Sequence, residues 1–75
     1  MSPKLTRFSG KELVALFERK GWKLTRVKGS YHICRSPDGR IAVIPVHGNV
    51  PVHVGIVQEL LRKKLKLSDA EIASL

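Results

Sequence analysis

The sequence predicts an α+β fold with elements in the order α-β-β-β-α, followed by a short C-terminal helix. Two amphipathic helical patterns flank three short runs of β-forming residues, and tight-turn residues separate those runs. Each helix has one apolar stripe to bury. The compact arrangement therefore places both helices on one face of a three-stranded antiparallel sheet, and it leaves the other face for solvent or a partner.

The first helix is predicted to begin after Ser9 and to end at Gly21. Ser9 and Glu12 form a capping-box pattern, in which each side chain bonds a free backbone amide at the helix N-terminus. Arg19 and Lys20 precede the glycine, where positive charge suits the negative end of the helix dipole. The apolar stripe of this helix consists of Leu13, Val14, Leu16 and Phe17.

The three predicted strands span residues 22–27, 31–35 and 41–44. Gly29 and Ser30 indicate a short turn between the first two strands. Residues 36–39 read Ser-Pro-Asp-Gly, which is a strong turn signal because proline and glycine favour the second and last positions of a turn. Pro45 ends the third strand. These tight connections predict an antiparallel meander.

The side chains of the second strand alternate between the two faces of the sheet. His32 and Cys34 are predicted to share one face, and the opposite face is predicted to hold Tyr31, Ile33 and Arg35.

The second helix is predicted to start between His53 and Ile56 and to end before Leu67 and Ser68. Ser68 and Glu71 repeat the capping-box pattern, which predicts a short last helix over residues 69–74. The apolar stripe of the second helix is expected to contain Ile56, Val57, Leu60, Leu61 and Leu65.

Charge is the strongest compositional signal. The 75 residues include 14 Lys+Arg and 6 Asp+Glu, for a net charge of +8, and 43% of the residues are hydrophobic. That hydrophobic content is typical of a folded chain, and ten of the basic residues lie in the first 40 positions. We expect an acidic partner, either nucleic acid or an acidic protein.

Several classes of protein are not favoured. One cysteine allows no intrachain disulfide, no carboxylate pair is placed to hold Mg²⁺, and no glycine-rich phosphate loop is present. We therefore expect no metal and no cofactor. No apolar run reaches the ~20 residues of a membrane span, and residues 1–4 lack the apolar stretch of a signal peptide. A single cytoplasmic domain over residues 1–75, without a membrane partner, is the expectation.

His32 is the candidate for chemistry. It follows the predicted turn and is surrounded in sequence by Arg26, Lys28 and Arg35. An imidazole can take a proton from a ribose 2′-hydroxyl or give one to a leaving 5′-oxygen, and nearby cations can stabilise phosphate charge without a metal. From the residues alone, the favoured interpretation of His32 is instead a half-buried strand residue that is hydrogen-bonded to the backbone.

The other histidines and the cysteine are not assigned a catalytic role. His47 lies in the loop after the third strand, where it could contact a substrate or tie the loop by a hydrogen bond. His53, near the start of the second helix, is expected to be a neutral surface residue. Cys34 is expected to pack as a small apolar side chain.

Several short motifs occur together and in order over residues 9–72. Ser-Gly-Lys-Glu-Leu opens the first helix at Ser9, and Lys-Gly-Trp closes it at Lys20. Gly-Ser-Tyr-His ends at His32, Val-Ile-Pro-Val-His-Gly-Asn begins at Val43, and Gly-Ile-Val-Gln-Glu-Leu-Leu begins at Gly55. With these motifs, the chain resembles HicA, the toxin of the HicA–HicB toxin–antitoxin systems.

The resemblance implies a fold similar to a double-stranded RNA-binding domain and the activity of an mRNA interferase, a ribonuclease that cleaves messenger RNA. It assigns catalysis to the histidine of Gly-Ser-x-His, here His32. Many members have a second histidine just before it, where this chain has Tyr31. The expected RNA-binding residues are Arg26, Lys28, Gly29, Ser30, Tyr31, Arg35 and His47.

The resemblance also implies a protein partner, a HicB-like antitoxin that covers the active site. Contact with DNA is expected only through that antitoxin. Two alternatives remain open on the sequence: a non-catalytic module that binds double-stranded RNA by its shape, and a nucleoid-type protein that binds DNA.

Overall fold

The computed structural model describes residues 7–75 and confirms the predicted order of elements. Residues 1–4, from which the absence of a signal peptide was predicted, lie outside that range. No helix in the described part of the chain is long and apolar enough to cross a membrane. The elements are α1 (Gly10–Arg19), β1 (Lys23–Lys28), β2 (Tyr31–Arg35), β3 (Ile41–Pro45), α2 (Val54–Glu59), continued by a π-helical segment (Leu60–Lys64), and α3 (Asp69–Ala73).

Both capping boxes predicted from the sequence are present. The Ser9 hydroxyl accepts a hydrogen bond from the Glu12 amide at 3.2 Å, and the Ser9 amide donates to the Glu12 carboxylate at 3.0 Å. The same reciprocal pair joins Ser68 and Glu71 at the start of α3. Gly21 has φ +91°, so it provides the left-handed conformation that ends α1.

The three strands form one antiparallel sheet in the order β1-β2-β3, so β2 is paired on both sides. Gly29 has φ +59° at the first position of the two-residue β1–β2 turn, as a type II′ hairpin requires. The β2–β3 turn closes as predicted, since the Gly39 amide donates to the Ser36 carbonyl at 3.0 Å.

A β-bulge at Thr25 interrupts the pairing of β1 with β2. Leu24 pairs with Cys34 and Arg26 with Ile33, which leaves Thr25 as the extra residue. Its hydroxyl donates to the Ile33 carbonyl at 3.2 Å. The bulge changes which side chains share a face, so all three cations of β1 lie on the same face. These are Lys23, Arg26 and Lys28.

The core lies between one face of the sheet and the helices. Cys34, Ala42 and Ile44 provide the strand side of this core, and they are almost fully buried. The helical side is contributed by Leu13, Leu16, Phe17, Val57, Leu60, Leu61 and Ile72. We call the sheet surface that faces the helices the inner face and the opposite surface the outer face.

Some sequence predictions differ from the structure in detail. Ile56 was expected in the buried stripe of α2, but it is 40% exposed, because Val57 faces the sheet and its chain neighbour must point about 100° away around the helix. Trp22 precedes β1 and packs into the core instead of belonging to the strand. Pro45 is the last residue of β3, and Ser74 is the C-cap of α3.

The N-terminus of α1 lies directly against the end of β3. A Cβ atom built on Gly10 would lie 2.2 Å from the Pro45 carbonyl oxygen and 2.7 Å from the Val46 Cα. Only glycine allows this approach between two backbones, because any side chain would overlap atoms that cannot rotate away. Gly10 therefore determines how closely α1 packs against the chain that leads to His47.

Arg40 connects three elements at the other end of the sheet. Its guanidinium lies 5.2 Å from the centre of the Trp22 ring, and its Nη1 donates to the Lys64 carbonyl at 2.6 Å. Its Nε pairs with the Asp38 carboxylate at 3.1 Å. One side chain thus links the β2–β3 turn to the segment after α1 and to the last turn of the π-helical segment.

Replacement of Gly10 by alanine is expected to destabilise the fold by about 1–3 kcal/mol, because the new methyl group overlaps backbone atoms. Chemical denaturation of both proteins measures this. Gly55→Ala is the matched control, since its Cβ would meet only the His53 ring at 3.1–3.3 Å. Equal effects of the two substitutions would contradict the proposed role of Gly10.

Stability at low pH is expected to depend on Asp38. The Ser36 hydroxyl and then Arg40 lower the pKa of Asp38 from 3.8 to about 2. A carboxyl whose pKa is lower in the folded state stabilises the fold above its unfolded pKa and loses that effect as the pH falls toward the folded pKa. The melting temperatures of wild type and Asp38→Asn should therefore differ at pH 5 and converge as the pH falls from 4 to 2. A constant difference would contradict this assignment.

Candidate functional site

His32 lies in β2 on the inner face of the sheet, between Val27 of β1 and Ile44 of β3. Its side chain is half-buried. The ring atom Nδ1 is buried and has no hydrogen-bond partner among the described residues, whereas Nε2 is neither buried nor bonded to them. The ring therefore has one nitrogen, Nδ1, fully buried, and Nε2 is the nitrogen that is not.

The turn before His32 is joined to the segment that follows β3. The Val46 amide donates to the Ser30 carbonyl at 2.7 Å, and Tyr31 pairs with Pro45. Gly10 contacts the same segment from α1. The two predicted motifs, Gly-Ser-x-His and Pro-Val-His, therefore meet at one end of the sheet, which we call the His32 end.

His47 is exposed in the loop at the His32 end. Its backbone carbonyl accepts a hydrogen bond from the Val50 amide at 3.0 Å, and its imidazole makes no hydrogen bond to residues 7–75. The loop is thus tied by the main chain of His47. Its side chain remains available to a ligand.

His53 has a structural role that sequence reasoning missed. It is the N-cap of α2, where its Nδ1 accepts a hydrogen bond from the Gly55 amide at 3.0 Å. The side chains usually found at this position are serine, threonine, aspartate and asparagine, so composition gave no signal for a histidine cap. His53 is a surface residue, as expected, but its ring is engaged by the helix.

The predicted RNA-binding residues do not all lie beside His32. Arg26, Lys28, Tyr31 and Arg35 belong to the outer face of the sheet, whereas His32 belongs to the inner face. Lys28 and Tyr31 flank the turn at the His32 end, Arg26 lies near the middle of the sheet, and Arg35 lies at its far end. The structure therefore brings together His32, Lys28, Gly29, Ser30, Tyr31 and His47, and it separates Arg35 from them.

The outer face has a strongly positive character. It carries Lys23, Arg26, Lys28 and Arg35, and none of the residues of the three strands is acidic. Tyr31 is 52% exposed among these cations. Lys11, in the first turn of α1, is an additional exposed cation. It lies at the His32 end because its neighbour Gly10 packs against the end of β3, a contact that the sequence did not predict.

Cys34 follows the prediction that it packs as an apolar residue. It is fully buried in the core, and this burial raises the pKa of its thiol. A thiol in such surroundings stays protonated and does not act as a nucleophile. Within residues 7–75, no group of three or more His, Cys, Asp and Glu residues is placed to hold a metal ion.

Comparison with protein families supports the resemblance drawn from the motifs. The family described as "HicA toxin of bacterial toxin-antitoxin" matches residues 10–67, a range that includes both motif segments and all three strands. Comparison with curated proteins and with solved structures gave no match. The family match covers most of the chain, and the chain therefore belongs to the HicA family of toxins from bacterial toxin–antitoxin systems.

Proposed function

We propose that this toxin is a ribonuclease that cleaves messenger RNA with His32 as its catalytic residue. The observation that carries the proposal is the setting of the imidazole, whose Nδ1 is buried while Nε2 is not, beside the turn at the His32 end. A ring held this way presents one nitrogen in a defined direction, which is what proton transfer to or from a substrate requires.

The chemistry needs a proton to move at each of two oxygen atoms. Removal of the proton from a ribose 2′-hydroxyl lets that oxygen attack the neighbouring phosphorus, and the bond from phosphorus to the 5′-oxygen then breaks. A proton must also reach the leaving 5′-oxygen. Nε2 of His32 is proposed to move one of these protons and solvent water to move the other, and the direction of the pH–rate profile distinguishes base from acid.

Negative charge on the phosphate is proposed to be stabilised by cations at the His32 end. Lys28 flanks the turn on the outer face, and Lys11 is exposed at the start of α1. Gly29 carries no side chain, so the RNA backbone can approach the turn closely. The Tyr31 ring is exposed and offers a surface on which an unpaired base can stack.

Membership of the family implies a cognate antitoxin. We propose that this partner is a HicB-like protein that binds the toxin directly and blocks the His32 end. The net charge of +8 favours a partner with acidic residues. Any contact with DNA is proposed to occur through the antitoxin.

One observation favours a second candidate function, a module that binds double-stranded RNA without cleaving it. The cations of the outer face lie on the opposite side of the sheet from His32, so they can bind RNA without presenting it to the imidazole. Purified protein on labelled RNA separates the two functions. Binding without cleavage over a range of RNA sequences would favour the second candidate.

His32→Ala is expected to reduce RNA cleavage by about 10²–10⁴-fold, the usual contribution of general acid–base catalysis. Cleavage of labelled RNA by the purified toxin, in the presence of a chelator, measures this. His53→Asn is the matched control, because asparagine preserves a helix cap while it removes an imidazole. Full activity of His32→Ala would refute the assignment.

Arg26→Ala and Lys23→Ala are expected to raise KM for RNA while kcat changes little, because these outer-face cations lie away from the His32 end and would bind phosphates away from the reacting atoms. Each lost phosphate contact should reduce the salt dependence of binding by about 0.7 in the log–log slope. Lys63→Ala, an exposed lysine in the helical layer, is the control. An unchanged slope in both variants would exclude the outer face from RNA binding.

A further inference from the structure

The two edges of the sheet differ in how they are protected. An edge strand exposes unpaired backbone groups, and proteins usually guard such edges with charged residues, bulges or a covering element. β1 carries Lys23, Arg26 and Lys28 and contains the bulge at Thr25. β3, with the sequence Ile-Ala-Val-Ile-Pro, has no charged residue and pairs with β2 in unbroken register.

The register of β3 identifies which of its backbone groups are unpaired. The Ser36 amide donates to the Arg40 carbonyl, and the Val46 amide donates to the Ser30 carbonyl, so the residue pairs at both ends of the β2–β3 ladder are hydrogen-bonded. Between them, every second residue of β3 is hydrogen-bonded to β2, because hydrogen-bonded and non-hydrogen-bonded pairs alternate in an antiparallel ladder. Ala42 and Ile44 therefore bond β2. Ile41 and Val43 direct their amides and carbonyls toward the free edge, where they make no hydrogen bond to the described residues.

The free edge of β3 borders an apolar groove. Ile41 and Val43 are 45% and 48% exposed. Ile56 of α2 lies outside the core, is 40% exposed and lines the same groove. The groove has a volume of about 250 Å³, and it is lined by Ile41, Val43, Ile56, Glu59, Leu60 and Lys64. Edge-facing backbone groups beside alternating apolar side chains are the features that bind an extended polypeptide strand.

We infer that the free edge of β3 is the site where an extended, acidic and apolar segment of the antitoxin pairs as a fourth strand. The inference rests on the proposed function for the identity of the partner. Apolar side chains of that segment would occupy the groove. Its carboxylates would lie nearest to Arg35 of β2, which pairs with Ile41, and to Lys64, which lines the groove together with Glu59.

Charge disfavours a second copy of this chain at the edge, and the apolar lining of the groove disfavours RNA. A second copy of this chain would bring the same +8 charge and a β3 strand without carboxylates, so its cations would repel those already present. RNA gains little from Ile41, Val43 and Ile56, which offer no group that binds phosphate. A polypeptide strand satisfies both the backbone groups of the edge and its apolar side chains.

Proline at position 43 tests the inference directly. Val43→Pro removes the amide that points to the free edge, and it leaves the hydrogen bonds between β2 and β3 intact because that amide does not bond β2. Val43→Thr is the matched control, because threonine has nearly the shape of valine and keeps the amide.

Affinity of each variant for the full-length cognate antitoxin, measured by calorimetry, is the first readout. Val43→Pro should weaken binding by about tenfold or more, because a buried partner carbonyl loses its donor, and Val43→Thr should remain within about threefold of wild type. Equal affinities of the two variants would overturn the inference.

Hydrogen exchange provides a second readout that needs no variant. The Ile41 and Val43 amides should exchange rapidly in the free toxin and become protected in the antitoxin complex. Fast exchange in the complex would overturn the inference, and so would protection by RNA alone or a concentration-dependent dimer of the free toxin.

Cleavage of RNA by the free wild-type toxin separates this inference from the proposed function. An inactive wild type with protected Val43 in the complex would refute the ribonuclease proposal and support the edge site. An active wild type whose Val43→Pro variant binds the antitoxin normally would refute the edge site alone.

Discussion

The rest of the structure depends on the position of β2 as the central strand. It is hydrogen-bonded on both sides, so its register cannot shift without breaking two ladders. A shift by one residue would exchange the faces of His32 and Tyr31 and would replace Cys34 in the core by Ile33 or Arg35. Because the two ladders prevent that shift, the imidazole keeps Nδ1 buried while Nε2 is not.

The two ends of the sheet are held to the helices by different means. At one end, Gly10 lets the backbone of α1 contact Pro45 and Val46, which is a packing constraint without a side chain. At the other end, Arg40 joins Trp22, Asp38 and the last turn of the π-helical segment by polar and ring contacts. The end without a large polar cluster among residues 7–75 is the end where His32 lies, and no described residue bonds the imidazole of His47 there.

Local patterns in the sequence predict most of the fold, because capping boxes, turns and apolar spacing are local properties. Ser9, Glu12, Gly21 and Gly39 each act as their motifs predict. The arrangement of charge around His32 could not be predicted in the same way. The bulge at Thr25 decides that Lys23 shares the outer face with Arg26, and a bulge in this run has no compositional signal. The proximity of His47 to the turn before His32 also depends on pairing between distant residues.

In the proposed mechanism, His32 transfers a proton during cleavage in which the 2′-hydroxyl of RNA is the nucleophile. The end groups of the RNA fragments test it most directly. Mass spectrometry of RNA cleaved by the purified toxin in chelator should find 2′,3′-cyclic phosphate on one fragment and a 5′-hydroxyl on the other. RNA with 2′-O-methyl groups throughout should resist cleavage. Fragments with a 5′-phosphate and a 3′-hydroxyl would rule out the 2′-hydroxyl as the nucleophile.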